Sequence, residues 1–338
     1  MKIAIGYHLQ EGPWGGGNQF AQSLVKALES RGDKVCFNLK DNDIDIILLT
    51  DPRWRSKSIS FGTASIFRYL IRHNPKAIVV HRINECDERK GSKNMNRKLR
   101  RANYISDHTV FIASWLEELD LWQRNKPKSV IKNGADQTIF RHKRNIPWDG
   151  KSALKLVTHH WGGNWMKGFD VYSKIDKMLI SPEWENIIEF TYIGNIPKSF
   201  KFQNVKYLPP LQGESLAMEL SKHHVYITAS INEPAGMHHI EGALSGLPIL
   251  YRRSGALPEY CNGFGIQFDN NNFIPALKDI LTSYPNIKSN MPTYSNTADR
   301  MCSQYLSLFD NLIDNRSMVV SNRNLWKSPW DLLKSIII

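Results

Sequence analysis

The chain has 338 residues, of which 41% are hydrophobic and 22% charged, an ordinary balance for a soluble globular protein of about two domains. No run approaches the roughly 20 apolar residues of a membrane-spanning helix. Four cysteines, Cys36, Cys86, Cys261 and Cys302, stand far apart without a CxxC pair, which predicts reduced thiols in a cytoplasmic protein and argues against a zinc site.

The opening "MKIAIGYHL" reads as a buried strand; as a signal peptide it is too short and lacks a small-residue cleavage site. A helical pattern follows, "NQFAQSLVKALESRG", with Gly32 as its stop. "IDIILL", "AIVVHRI", "TVFIA" and "SVIKN" continue as strands. Between them, residues 82–101 hold eight Lys or Arg against three acids within a chain of net charge +12. Such a segment attracts phosphates, nucleic acid or an anionic membrane surface, unless it is simply a solvated helix face. A polar, aperiodic stretch at residues 141–152, with Pro147 and Gly150, marks a domain boundary. Beyond it, "LKLVTHH", "IEFTYIG", "VKYLPP", "HVYITAS", "LPILY" and "GIQF" read as strands separated by helical patterns. This alternation predicts an α/β chain of two doubly wound domains, each a parallel sheet covered on both faces. Ligands then bind outside the carboxyl ends of the strands, with the cleft between domains as the expected site.

Four loops at strand ends have the residues for chemistry. "HLQEGPWGGGNQF" puts three glycines before a helix, so backbone amides can approach an anion, although it matches no standard nucleotide motif and also suits a plain turn. His81 is read at the end of an apolar strand, either open to a ligand or as a satisfied structural group. In "THHWGGNWMKGFD", Lys167 sits where a helix begins and adds a point charge to the helix dipole, which suits a diphosphate. His159, His160 and Asn164 offer further donors there. Adjacent histidines on a strand point to opposite faces, so no metal is expected at this pair or at those of residues 223–224 and 238–239. Finally, in "NEPAGMHHIEGALSGLP", Glu233 precedes a turn whose amides at Ala235, Gly236 and Met237 are unpaired helix-start donors. Glu241 follows a turn further on, its two oxygens matched to a vicinal diol such as a ribose. The plainer reading is two solvent-facing glutamates. Gly242 and Gly246 thin that helix at a cost of about 1 kcal/mol each relative to alanine, so they need a reason in close packing or a ligand.

The segment "EPAGMHHIEGALSGLPILYRRSGALPEYCNGFGIQF" resembles the donor-binding region of glycosyltransferase family 4, the retaining transferases with the GT-B fold. The shared order is E-P-x-G, a second Glu closing E-x7-E, a small-residue helix, G-x-P and a final segment standing here as "SGALPEY" and ending at Glu259. "PWGGGNQFAQSLVKALESRGDKV", "VFIASWLEEL", "KNGADQTIF" and the Lys167–Gly168 pair fall in the same order over about residues 1–270.

The resemblance implies two Rossmann-like domains facing across a cleft. Residues 1–148 would bind the acceptor and 149–297 the nucleotide sugar, with 298–338 a helical segment crossing back to the first domain. It further implies that Glu241 holds the donor ribose and Glu233 the sugar hydroxyls. Ala235, Gly236 and Met237 would meet sugar and phosphate, Lys167 the diphosphate, and Gly16 the phosphate from the other domain. Gly17, His159, Asn164 and Asn195 complete the implied donor site, with His81 near the reacting sugar and Glu233, His81 and Lys167 as the catalytic set. Relatives carry an arginine five or six residues before the lysine, where this chain has Gly162 and Trp161. A second diphosphate cation is therefore missing or comes from elsewhere. No cofactor or metal is expected beyond the nucleotide sugar itself, and the basic 82–101 segment suits an anionic, glycan or lipid-linked acceptor in surface polysaccharide or lipopolysaccharide synthesis. The tail "NLWKSPWDLLKSIII" is amphipathic and is expected to pack on the first domain, with peripheral membrane contact as the alternative. Rival readings are an Asp-x-Asp metal-dependent transferase using "DNDID" at residues 41–45, a basic nucleic-acid binder, which lacks any recognition module, and an epimerase or phosphorylase on the same fold.

Overall fold

The computed structural model describes every residue except Glu11, Pro13, Trp14, Trp54, Arg55 and Lys57. Three of these belong to the glycine loop singled out above, so that part of the loop lies outside the described residues. Contacts divide the chain into two compact units. The first comprises Met1–Glu11, Gly17–Lys132 and Asp299–Ile338; the second comprises Gly12–Gly16 and Asn133–Ala298.

The first unit is built on six parallel strands, β1 (Lys2–Ile5), β2 (Lys34–Cys36), β3 (Ile46–Leu49), β4 (Ile78–Ile83), β5 (His108–Phe111) and β6 (Lys128–Val130), in the order β2-β1-β3-β4-β5-β6. Every residue of β3, β4 and β5 is buried, as expected for strands covered on both faces. The helices are α1 (Gly16–Ser30), α2 (Thr63–Arg72) and α3 (Met95–Asn103). One face of the sheet is closed by α1 together with residues from the far end of the chain: Phe20, Leu24 and Leu28 share a core with Tyr305, Phe309 and Leu312. On the other face, Ile66 and Leu70 pack with Leu325 and Leu332.

The expected turn at residues 41–45 is a turn whose acids are already engaged. Lys2 Nζ lies 3.1 Å from Asp41 and 2.6 Å from Asp43, and Asp45 accepts the Lys2 amide at 2.8 Å and pairs with Arg316 at 2.5 Å.

The second unit carries β7 (Leu154–His160), β8 (Ile188–Gly194), β9 (Lys206–Leu208), β10 (Val225–Thr228), β11 (Ile249–Arg252) and β12 (Gly265–Phe268), all parallel, in the order β12-β11-β10-β7-β8-β9. Counted from β7, this is the 3-2-1-4-5-6 order of the dinucleotide-binding fold, with its reversal between β7 and β10. Its helices are α4 (Phe169–Met178), α5 (Gly213–Leu220), α6 (His238–Leu244), α7 (Leu257–Cys261) and α8 (Phe273–Asn290). An aromatic core of Phe169, Tyr172, Phe190, Tyr192 and Phe202 packs α4 onto β8.

Three helices end the chain: α9 (Ala298–Asp314), α10 (Arg316–Ser321) and α11 (Pro329–Ile336). Arg323 anchors this stretch within the first unit, with Nε 2.8 Å from Asp107 Oδ1 and Nη1 2.9 Å from the Pro75 carbonyl. In α11, Leu332 and Ser335 are buried, while Trp330 and Leu333 are exposed, as are Trp326 and Ile337 on either side of the helix. Among the described residues no helix is long and apolar enough to cross a membrane.

Candidate functional site

In the second unit the loops after β7 and β10 open on either side of the strand-order reversal, where ligands bind in open α/β sheets. Strand β7 ends in His159 and His160, and strand alternation separates them. His159 Nε2 lies 2.6 Å from Glu241 Oε2 in α6. His160 Nε2 instead meets the Tyr172 hydroxyl of α4 at 2.8 Å. Tyr226 of β10 supports His159 from behind: its hydroxyl accepts the His159 amide at 3.1 Å and lies 3.1 Å from His159 Nδ1. These partners fit an imidazole that donates from Nε2 to the carboxylate and accepts at Nδ1 from the tyrosine.

Lys167 closes a 3-10 turn, Trp165–Lys167, just before Gly168 and α4. Its Nζ lies 2.5 Å from Glu233 Oε2, and the two side chains are only 9% and 3% exposed. The backbone at Glu233 is held by the segment after β11. The Ala256 amide donates to the Glu233 carbonyl at 2.9 Å, and the Asn232 amide to Ser254 Oγ at 2.8 Å. Between them Gly255 has φ +57°, and a Cβ there would come 2.4 Å from the Glu233 oxygen. Only glycine fits that approach. The "SGALPE" segment thus sets the position of Glu233.

Ala235, Gly236 and Met237 form the turn into α6, whose Glu241 amide donates to the Met237 carbonyl at 2.9 Å. A Cβ on Gly242 would come 2.4 Å from the Tyr226 ring, so this glycine lets α6 lie directly on β10. Gly246 falls beyond Leu244, the last residue of the helix. Close packing, with no need for a ligand, therefore accounts for the glycine inside α6.

The remaining expected residues take varied places. Asn164 Nδ2 and Lys167 Cε flank Gly162, at 3.5 and 3.7 Å from where its Cβ would stand. Asn195 uses its side chain to tie down the loop after β7, donating to the Trp161 carbonyl at 2.7 Å. Gly16 groups with the second unit, where a Cβ would meet Met237 Cγ at 2.6 Å, whereas Gly17 belongs to the first unit beside Tyr7. His81 sits inside β4, two residues before the strand ends at Ile83, and is fully buried. Its Nδ1 lies 3.1 Å from Asn103 Nδ2, which also donates to Thr109 Oγ1 at 2.9 Å. Its Nε2 is buried with no hydrogen-bond partner among the described residues, so the ring is held from one side only. Arg252 is the charged last residue of the otherwise apolar strand β11, with no motif in the sequence to mark it. It is buried and pairs with Asp170 in the first turn of α4, three residues after Lys167.

No family model matches the chain, and no curated protein matches it either. Solved structures do. HepE of Anabaena in complex with UDP-glucose is 12% identical, with a TM-score of 0.66 over 92% of this chain and 100% of that one. WaaG, a glycosyltransferase involved in lipopolysaccharide biosynthesis, is 13% identical, with a TM-score of 0.61 over 93% and 99%. A sucrose-phosphate synthase from Thermosynechococcus elongatus is also 13% identical, with a TM-score of 0.63 over 93% and 99%. The fold is GT-B.

Electrostatically, three buried histidines of this unit, His160, His238 and His239, are pushed toward the neutral form. Burial, reinforced by the Lys167 charge, holds His160 well below the ordinary histidine value. Burial, then His160, does the same to His238. Burial drives His239 down to about 3. Both ring nitrogens of His239 are buried with no partner, and its ring meets Tyr260 edge-on at 5.3 Å. Among the described residues, no group of three or more His, Cys, Asp or Glu is arranged to hold a metal.

Glu233→Ala removes the carboxylate facing a buried ammonium, so unfolding free energy should drop by about 3–5 kcal/mol, read from urea denaturation. A loss below about 1 kcal/mol, the scale of an exposed pair, would show the pair to be solvated.

The depressed histidines also set a pH response. Their ordinary value is 6.5 and His239 falls to about 3, so between these values the unfolded chain binds more protons and stability declines as pH falls. His239→Phe keeps the ring shape without the unpaired nitrogens. Its thermal midpoint should equal or exceed the parent's at neutral pH, and should fall less steeply on acidification below 6.5. An unchanged acid slope would show that His239 is charged in the fold.

Proposed function

We propose that the chain is a retaining, metal-independent glycosyltransferase that moves a sugar from a nucleoside-diphosphate sugar to a glycan or lipid-linked acceptor. The setting that best suits it is surface polysaccharide or lipopolysaccharide synthesis, in the cytoplasm or at the inner face of the membrane. The observation that carries this reading is the pair of fixed carboxylates at the β7–β10 reversal, Glu233 on Lys167 and Glu241 on His159. Two neighbours of the same fold are described with UDP-glucose and with ADP, which supports a nucleotide sugar as donor.

In this reading Glu241, oriented by His159, accepts hydrogen bonds from the ribose hydroxyls, and Glu233 accepts from the sugar hydroxyls. Lys167, already at the mouth of α4, turns from Glu233 toward the diphosphate as negative charge develops on it. The amides of Ala235, Gly236 and Met237 lie beside the sugar and phosphate. The bond from the sugar's anomeric carbon to phosphate oxygen breaks, and the acceptor oxygen bonds to that carbon from the same face. The acceptor proton passes to the leaving phosphate oxygen, so no protein nucleophile is required.

Glu241→Ala should weaken binding of the free nucleoside diphosphate roughly ten- to a hundredfold, the scale of hydrogen bonds to a charged group. Calorimetry reads this directly, and unchanged affinity removes Glu241 from the ribose role. Transfer should survive a chelator and yield an α-linked product from an α-linked donor, read from the anomeric proton coupling by NMR. Loss of turnover restored by Mg²⁺ contradicts the metal-free site; a β-linked product contradicts retention.

A further inference from the structure

We propose that a cation-lined cavity in the first unit, between the loop after β4 and the start of α3, binds the phosphate group of the acceptor. The identification of that ligand as an acceptor rests on the glycosyltransfer reading above; the cavity and its charge do not. The cavity has a volume of about 230 Å³, and its charged lining is Arg53, Lys90, Lys93 and Lys98 against the single acid Glu85. That volume falls below the roughly 300–1,000 Å³ of sites that enclose a whole drug-sized ligand. It suits one charged group of a larger molecule.

The positive charge is not cancelled within the protein. Glu85 is already held by Arg89 at 3.2 Å and Lys90 at 3.1 Å, and Arg53 pairs with Asp51. Among the described residues, Lys93 and Lys98 line the cavity without an ion pair of their own. Asn94 shares the lining; its Oδ1 accepts from Arg97 at 2.6 Å, which turns that oxygen away from the role of an anion's neighbour and leaves the amide as donor.

One partly exposed carboxylate shapes this loop before any ligand arrives. Asp87 Oδ1 accepts from the Ser92 hydroxyl at 2.5 Å, the Asn94 amide at 3.0 Å and the Met95 amide at 2.8 Å, while Oδ2 accepts the Asn96 amide at 3.0 Å. Burial alone would raise the Asp87 carboxyl; the Ser92 hydroxyl and these amides outweigh it and hold it below the ordinary value. The amides at the start of α3 are thereby already satisfied, so the recognition falls to the side chains of Lys93, Lys98 and Asn94. Lysine ammonium groups act as compact point charges that suit phosphate. The 82–101 segment is therefore not one basic face: Arg82 is buried over the Phe20 ring at 3.7 Å, and the lysines that remain gather at this cavity.

The test titrates inorganic phosphate into the full chain, the Lys93→Gln/Lys98→Gln variant and, as a donor-site control, Lys167→Gln. The double variant should bind phosphate roughly tenfold or more weakly, by loss of two charged donors, with an unchanged thermal midpoint, while the Lys167 variant keeps this binding. Phosphate binding that ignores the two lysines, or is lost only in the Lys167 variant, overturns the proposal. Phosphatidylcholine vesicles with and without phosphatidylglycerol then separate the sources. Lysine-dependent binding to the anionic vesicles assigns a lipid headgroup, and phosphate binding without it assigns a soluble phosphorylated glycan. Lysine-dependent phosphate binding in a chain that turns over no nucleotide sugar would sink the transferase reading alone.

Discussion

An ammonium and a carboxylate buried together, Lys167 and Glu233, set the terms for the second unit. Neither charge has the water it would need alone, and an uncompensated charge in such a place costs several kcal/mol. Each partner is held in place by its own local structure. Lys167 is delivered by a 3-10 turn against the left-handed Gly168. Glu233 is gripped through its backbone by the turn at Ser254–Ala256, around a glycine that no other residue can replace.

The second carboxylate is fixed by different means. Glu241 is oriented by the His159 imidazole, itself backed by a tyrosine hydroxyl, and the helix that bears it lies flush on the strand because Gly242 has no Cβ. The two arrangements flank the one position in the sheet where successive loops diverge. Topology and chemistry thus coincide at β7 and β10, and the same coincidence makes the neighbouring histidines neutral: the packing that excludes water from the ion pair excludes it from His160, His238 and His239 as well.

Much of the fold was legible because parallel strands covered on both faces are nearly continuous apolar runs. Strand β2 escaped because its three residues begin with an exposed lysine and pair at the sheet's edge. The strand read as "AIVVHRI" does run to Ile83, but nothing in that pattern shows that its charged Arg82 is buried over the Phe20 ring. In the candidate site, the side-chain pairings were not legible in the sequence. His159 and Glu241 are separated by 82 residues and Lys167 and Glu233 by 66, distances over which no local pattern reports contact. The two glycines after Glu241 looked alike in sequence, but only one lies inside the helix.

Whether the two carboxylate pairs form one nucleotide-sugar site can be seen in a crystal structure of the chain soaked with a nucleoside diphosphate. The ribose hydroxyls should lie within hydrogen-bond reach of Glu241 and the diphosphate beside Lys167. A nucleotide bound elsewhere, with the Lys167–Glu233 and His159–Glu241 pairs untouched, would contradict the single site.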